Sequence, residues 1–162
     1  DWSSDVCSSD LNRLIMGRVG GAMSVLRDNY RNELMLQGHK ATGNLYDSVD
    51  YKLSDEGNKI TGTLYALSYS KHLEYPVKFK GVSRGQIEGL FRWWKVRGLG
   101  EKEAMRAAWA TAVKHVREGM PTANAYRYSQ TGERTRSLAT TIDKTRATLE
   151  KIIDFEIGRA HV

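Results

Sequence analysis

The sequence predicts an α+β fold: a long N-terminal helix, an antiparallel β-hairpin or small sheet, an αα-hairpin and a C-terminal helical segment. Three observations carry this expectation. Apolar residues recur at three- and four-residue steps over 14–36, the stripe of an amphipathic helix. The period drops to two on either side of a turn-forming segment between 48 and 66. Helical spacing then returns in two segments separated by Arg97-Gly98-Leu99-Gly100, a short glycine turn that suits two packed helices.

In the first segment Ile15, Val19, Ala22, Met23, Leu26, Tyr30 and Leu34 form the stripe. Gly17, Gly20 and Gly21 weaken it by about 1 kcal/mol each relative to alanine. They either permit a close helix contact or push the helix start beyond them. Gly38 is the natural stop, because glycine enters the left-handed region without a Cβ clash. Val49, Tyr51 and Leu53 then alternate with polar residues, as do Ile60, Gly62, Leu64 and Ala66 around Asp55-Glu56-Gly57-Asn58. This is the pattern of a β-hairpin, which needs a helical cover on one face to be stable in water.

Ser83 is placed to cap the next helix through its hydroxyl, with Ile87, Leu90, Phe91 and Trp94 on one face. Trp94 is expected in the core and Trp93 at its rim. A third helix begins at Glu101 and Glu103 and ends near Lys114, His115 and Arg117, charges that suit a helix dipole. Its apolar face reads as Met105, Ala108, Trp109, Ala112 and Val116, and Gly119-Met120-Pro121 closes it. Residues 122–136 are polar and rich in Thr, Arg, Tyr and Ser, an exposed loop. Leu138, Ile142, Leu149 and Ile153 suggest a last helix, although four nearby threonines weaken it.

The chain has 162 residues, 25 Lys+Arg against 19 Asp+Glu, and one cysteine. No apolar run approaches the ~18–20 residues that a bilayer requires, so no membrane contact is expected. A lone cysteine excludes a disulfide scaffold, and four Trp, eight Tyr and three Phe argue against general disorder. The two ends stand apart. One allowed back-translation of 157–162, with two bases from the preceding codon, is the reverse complement of the end of one allowed back-translation of 1–11. The shared string resembles a short-read sequencing adapter, so both ends are set aside as adapter-like artefacts. Without Asp1, Asp5, Asp10 and Arg159, residues 12–156 hold 24 basic and 16 acidic side chains and no cysteine. They are expected to form a single α+β domain.

Chemistry-bearing patterns are sparse. His39, His72 and His115 lack a second histidine at helical spacing and any thiolate, so no metal site is expected. There is no Gly-x-Ser-x-Gly and no Gly-x-x-x-x-Gly-Lys-Ser/Thr, which removes the familiar nucleophile elbow and phosphate loop. Asp55/Glu56 and Glu101/Glu103 sit where turns and helix starts favour acids. His115 is expected to neutralise a helix end. A hydrolase would need polar groups converging on a pocket near His72 and Glu74. The sequence therefore points away from an enzyme and from any cofactor. Two basic stretches remain, Lys78, Lys80, Arg84, Arg92, Lys95 and Arg97, then Arg127, Arg134, Arg136, Lys144 and Arg146. Such clusters suit polyanions or acidic protein surfaces, and Trp93-Trp94 beside them admits base stacking.

Taken in order, several short motifs resemble a family of structural proteins of long-tailed bacteriophages, the minor tail, tail-completion or head–tail joining proteins. These motifs are Ala41-Thr42-Gly43-Asn44-Leu45, Tyr69-Ser70 with Leu73-Glu74, the Trp-bearing helix 87–94, and Arg117-Glu118-Gly119-Met120-Pro121-Thr122 after an Ala-rich helix. The chain departs from the family pattern at Pro76, where a glycine is usual, and over 123–129. The resemblance implies a subunit of a homo-oligomeric ring at the tail or neck of a virion, assembled in the bacterial cytoplasm. Its partners would be tail-tube and neck or connector proteins, with DNA passing at most. Within that reading Phe79, Trp93, Tyr126 and Tyr128 are expected at subunit contacts, with Arg84, Arg92 and Arg97 as rim charges. The alternative is a basic nucleic-acid-binding module.

Overall fold

The computed structural model describes residues 3–39, 42–57 and 59–154. The adapter-like stretch 157–162, Asp1 and Trp2, Ala41 of the first motif and Asn58 of the turn lie outside them. The fold is α+β, with a long N-terminal helix and a two-stranded antiparallel sheet. The chain divides into two compact units, each built from separated segments. The first comprises Asp1–Glu33, Asp47–Leu67 and Leu138–Val162, and the second Leu34–Tyr46 and Ser68–Ser137.

In the first unit, helix α1 (Ser3–Leu36) runs uninterrupted through all three glycines. It does not start after them, and Gly20 shows why one of them is useful. A Cβ there would come within 3.3 Å of Leu53 Cδ1, so the bare backbone lets the strand side chain close in. Strands β1 (Asp50–Asp55) and β2 (Ile60–Tyr65) pair in register from Asp50↔Tyr65 to Asp55↔Ile60. Gly62 on β2 approaches the Met23 side chain so closely that a Cβ would lie 2.6 Å from its Cγ. The expected helical cover of the hairpin is thus α1. Ser48, read as strand, instead ends a short helix α2 (Asn44–Ser48). The fully buried Val49 follows, its carbonyl accepting a 2.7 Å bond from Arg31 Nη2.

The C-terminal helix, numbered α6 for its place in the chain (Ser137–Asp154), runs antiparallel to α1. The contacts set that direction: Arg18 Nη1 reaches Ile152 O at 3.4 Å, Asn29 Nδ2 reaches Thr145 Oγ1 at 3.3 Å, and Lys144 Nζ meets Glu33 Oε2 at 2.8 Å. The buried face matches the aliphatic one read from the sequence only in part: Leu138 and Leu149 are half-buried, but threonines take the centre. Thr141 and Thr145 are each 1% exposed, whereas Ile142 and Ile153 are 38% and 51% exposed. Threonine is acceptable inside because its hydroxyl can be satisfied within the helix. Thr145 Oγ1 donates to Thr141 O at 2.6 Å while accepting from Asn29.

In the second unit the chain passes a 3-10 turn (Ser68–Ser70) into the short helix α3 (Lys71–Glu74). Helices α4 (Arg84–Val96) and α5 (Glu101–Glu118) form the expected αα-hairpin. Ser83 Oγ accepts from Gln86 N at 3.2 Å, the anticipated cap. The buried row of α5 is Ala104, Ala108, Ala112 and His115, which keeps Ala108 and Ala112 of the expected face but takes Ala104 and His115 in place of its larger members. Met105 is 41% and Trp109 51% exposed. Small side chains let α4 approach closely, and that preference turns the larger ones outward. Ala108→Leu should therefore overpack the hairpin and cost roughly 1–3 kcal/mol. Urea unfolding measures it, and a loss below about 0.5 kcal/mol would contradict the packing.

The polar tract 122–136 is more ordered than a plain exposed loop. It contains a 3-10 helix (Ala123–Tyr128), and its backbone is tied at two points. Gln130 N donates to Leu36 O at 2.8 Å and Arg136 N to Leu73 O at 2.7 Å. Val77 and Met120 exchange a pair of backbone bonds at 2.8 and 2.7 Å, which holds the segment before α4 against the end of α5.

Candidate functional site

The ties at Leu36, Leu73 and Met120 gather three loops around the α4–α5 hairpin, and between them lies a cleft of about 730 Å³. It belongs wholly to the second unit. Its apolar wall is made by Phe79, Leu90, Trp93, Trp94 and Tyr128. Arg97, Lys114 and Arg134 supply positive charge, and no aspartate or glutamate is among the lining residues.

Helical spacing explains the wall. Leu90, Trp93, Trp94 and Arg97 fall at steps of three and four along α4 and so share one side. The indoles of Trp93 and Trp94 meet edge to face at 4.7 Å and 78°. Trp94 Nε1 donates to Thr111 Oγ1 at 3.2 Å, and that hydroxyl donates to Ala107 O at 2.7 Å. The Arg97 guanidinium covers the Trp93 ring at 3.8 Å, close enough for a cation–π contact. Lys114 Nζ stands 3.8 Å from Glu118 Oε1.

Three histidines line the cleft, and two of them, His115 and His39, are shifted away from the charged form. His115 is 9% exposed, with its ring stacked on Phe79 at 5.7 Å and 17°. Burial lowers its pKa, so it does not serve as the helix-end charge expected from its position. His39 is driven down to about 4 by burial and then by the charge of Arg134. Arg134 Nη2 lies 3.4 Å from His39 Nδ1 and 3.3 Å from Gly38 O, while His39 Nε2 lies 3.3 Å from Gln37 Oε1. An arginine can only donate, so Nδ1 accepts and Nε2 carries the proton. Arg134 in turn has its pKa lowered by burial and then by the neighbouring charge of Arg97.

This arrangement can hold an anion on an apolar support. Acid–base or nucleophilic chemistry needs more. The partners of the two histidines among the described residues are Gln37, Arg134 and Gln86, none a nucleophile or an orienting carboxylate. His72 lines the cleft, but Glu74 does not, its Oε1 being taken by the Ser137 hydroxyl at 3.1 Å. Among the described residues, no three His, Cys, Asp or Glu side chains are grouped to hold a metal ion. No described helix is long and apolar enough to cross a membrane.

Of the residues expected at contacts, Phe79, Trp93, Tyr128 and Arg97 come together in the cleft. Arg84 instead borders a separate shallow groove with Val82, Ile87, Glu88, Met105 and Trp109, where it pairs with Glu88 at 2.9 Å. Arg92 and Tyr126 are exposed and line neither. Trp94 is half-buried, as Trp93 is, so the expected division into core and rim does not hold. Sequence reading missed Lys114, Gln86 and the two histidines as cleft residues, and it missed Trp109 as a surface one. Arg134 was visible only as one of several basic residues. Comparison with protein-family models, curated proteins and solved structures finds no match for this chain.

Proposed function

We propose that the protein is a structural virion subunit of a tailed bacteriophage, acting in tail completion or head–tail joining through ring-forming protein–protein contacts and not through catalysis. The observation that carries the reading is the amount of large apolar side chain left at the surface of the second unit. Tyr75 is 75% exposed, Tyr128 64%, Val96 57% and Trp109 51%. Of these, Trp109 shares one groove with Val82, Ile87 and Met105, and a grouped apolar surface is an interaction site more often than an idle one. The Trp109–Met105–Ile87 groove with the Arg84–Glu88 pair at its margin has the apolar centre and charged edge of a subunit contact. A ring repeats one heterologous contact until it closes, and such a contact needs anchors of this type and no reaction centre. The motif order of the sequence supports the choice of a virion over other assemblies.

Light scattering after size exclusion, alone and with a tail-tube protein of the same phage, tests the proposal. The expected result is a mass several-fold above 18.3 kDa for at least one of the two samples. Trp109→Asp should return it toward the single chain, because a charge in an apolar contact is costly. A protein that stays monomeric alone and does not co-elute with the tube protein would overturn the reading.

One observation favours the nucleic-acid module as a second reading: the cleft joins tryptophan to three cations, with no aspartate or glutamate among its lining residues. It requires binding to oligonucleotides that falls steeply with added salt.

A further inference from the structure

We infer that the cleft of the second unit is a receptor for an acidic protein segment bearing apolar or aromatic side chains, supplied by a neighbouring protein of the assembly. The inference rests on the assembly reading and gives the chemistry of one partner.

Charge selects the sign. Arg97, Lys114 and Arg134 face a cavity whose lining contains no carboxylate, and the chain as a whole carries a formal +6. An acidic segment is attracted from a distance and finds paired cations on arrival. Size and lining select the body. About 730 Å³ falls within the ~300–1,000 Å³ of ordinary ligand pockets, which suits a few side chains. Leu90, Phe79 and Tyr128 offer the apolar surface those side chains would cover.

The state of Trp93 selects protein over nucleic acid. Base stacking requires a free aromatic face. Here the Arg97 guanidinium already takes one face of the ring, 3.8 Å from its centroid, and the Trp94 ring crowds it at 78° with centroids 4.7 Å apart. The same contact holds the Arg97 fork in place, ready for a carboxylate, and a planar fork already oriented loses little freedom on pairing. Lys114, restrained beside Glu118, completes a recognition mode in which clustered cations read an acidic motif.

The test is calorimetric titration of the full chain with an acetylated, amidated hexapeptide alternating glutamate with leucine and phenylalanine. Two comparison probes are the same peptide with lysine for glutamate and a ten-nucleotide thymidine strand. The acidic peptide should bind with a Kd on the order of 10 µM, and neither comparison probe should match it. Arg97→Glu should weaken binding about tenfold or more, and Lys114→Glu should do likewise. Arg97 is exposed at the end of α4, so its variant should stay folded, with a midpoint lowered only by the lost contact over Trp93 and the acidic charge at a helix C-terminus. Lys80→Glu changes an exposed cation outside the cleft and should leave affinity within about twofold. Absence of acidic-peptide binding, equal losses from Lys80→Glu and Arg97→Glu, or tighter binding of the thymidine strand would each overturn the inference. Light scattering on the same samples separates the two ideas. Assembly without peptide binding removes only the receptor role, and peptide binding by a chain that never assembles removes the virion role.

Discussion

Gly38→Ala should destabilise the protein by roughly 2–5 kcal/mol, the sum expected for left-handed backbone strain plus an overpacked contact. Gly38 has φ +71°, and a Cβ built on it would sit 2.6 Å from the carbonyl oxygen of Tyr128. The obstacle is main chain, so no rotamer change can relieve it. Tyr128 and Arg134 both line the cleft, and Arg134 is held by the Gly38 carbonyl. Relief of the clash must therefore move the cleft wall, and the variant should also lose peptide affinity. Urea unfolding gives the stability change. A loss under about 1 kcal/mol, the usual size of a surface glycine effect, would mean that the 123–128 segment does not press on this turn.

The second large effect is on pH dependence. His39 is held neutral in the folded protein, with a pKa of about 4 against an ordinary 6.5. Between those values the unfolded chain takes up a proton that the folded one refuses. Stability is therefore complete above about pH 6.5, falls as the pH drops through the window, and levels off below about 4. The full loss from this one group is about 3 kcal/mol at most. His115, also shifted downward by burial, adds a loss of the same sign. His39→Gln should remove most of the decline between pH 7 and pH 4.5 in unfolding free energy. An unchanged slope in that variant would place the acid sensitivity elsewhere, in groups other than this buried ring.

Other residues show where sequence reading succeeds and where it stops. The hairpin was legible because alternation and a turn of Asp, Glu and Gly are local signals, and the pairing of Asp55 with Ile60 follows from them. The cap at Ser83 was legible for the same reason, its bond spanning three residues. Periodicity alone could not assign the faces of α5 and α6. Adjacent positions on a helix differ by about 100°, so Ala108 and Trp109 offer nearly the same apolar count in two directions. The choice belonged to the neighbouring helix, which came close against alanine and could not have done so against tryptophan. Likewise Thr141 and Thr145 read as defects in a helix until Asn29 stood opposite to bond one of them. The cleft was the least legible feature. His39, Trp93, Lys114 and Arg134 stand far apart in the chain, and of these only Trp93 is marked out by its own surroundings.

The sequence by itself determined the kinds of element and their order, because hydrophobic period, turn chemistry and caps act over a few residues. Tertiary structure alone decided which helix faces are covered, which tryptophan meets solvent, and that scattered cations share one apolar cleft. Those outcomes depend on close approach between segments distant in the chain, and short-range pattern carries no information about that approach.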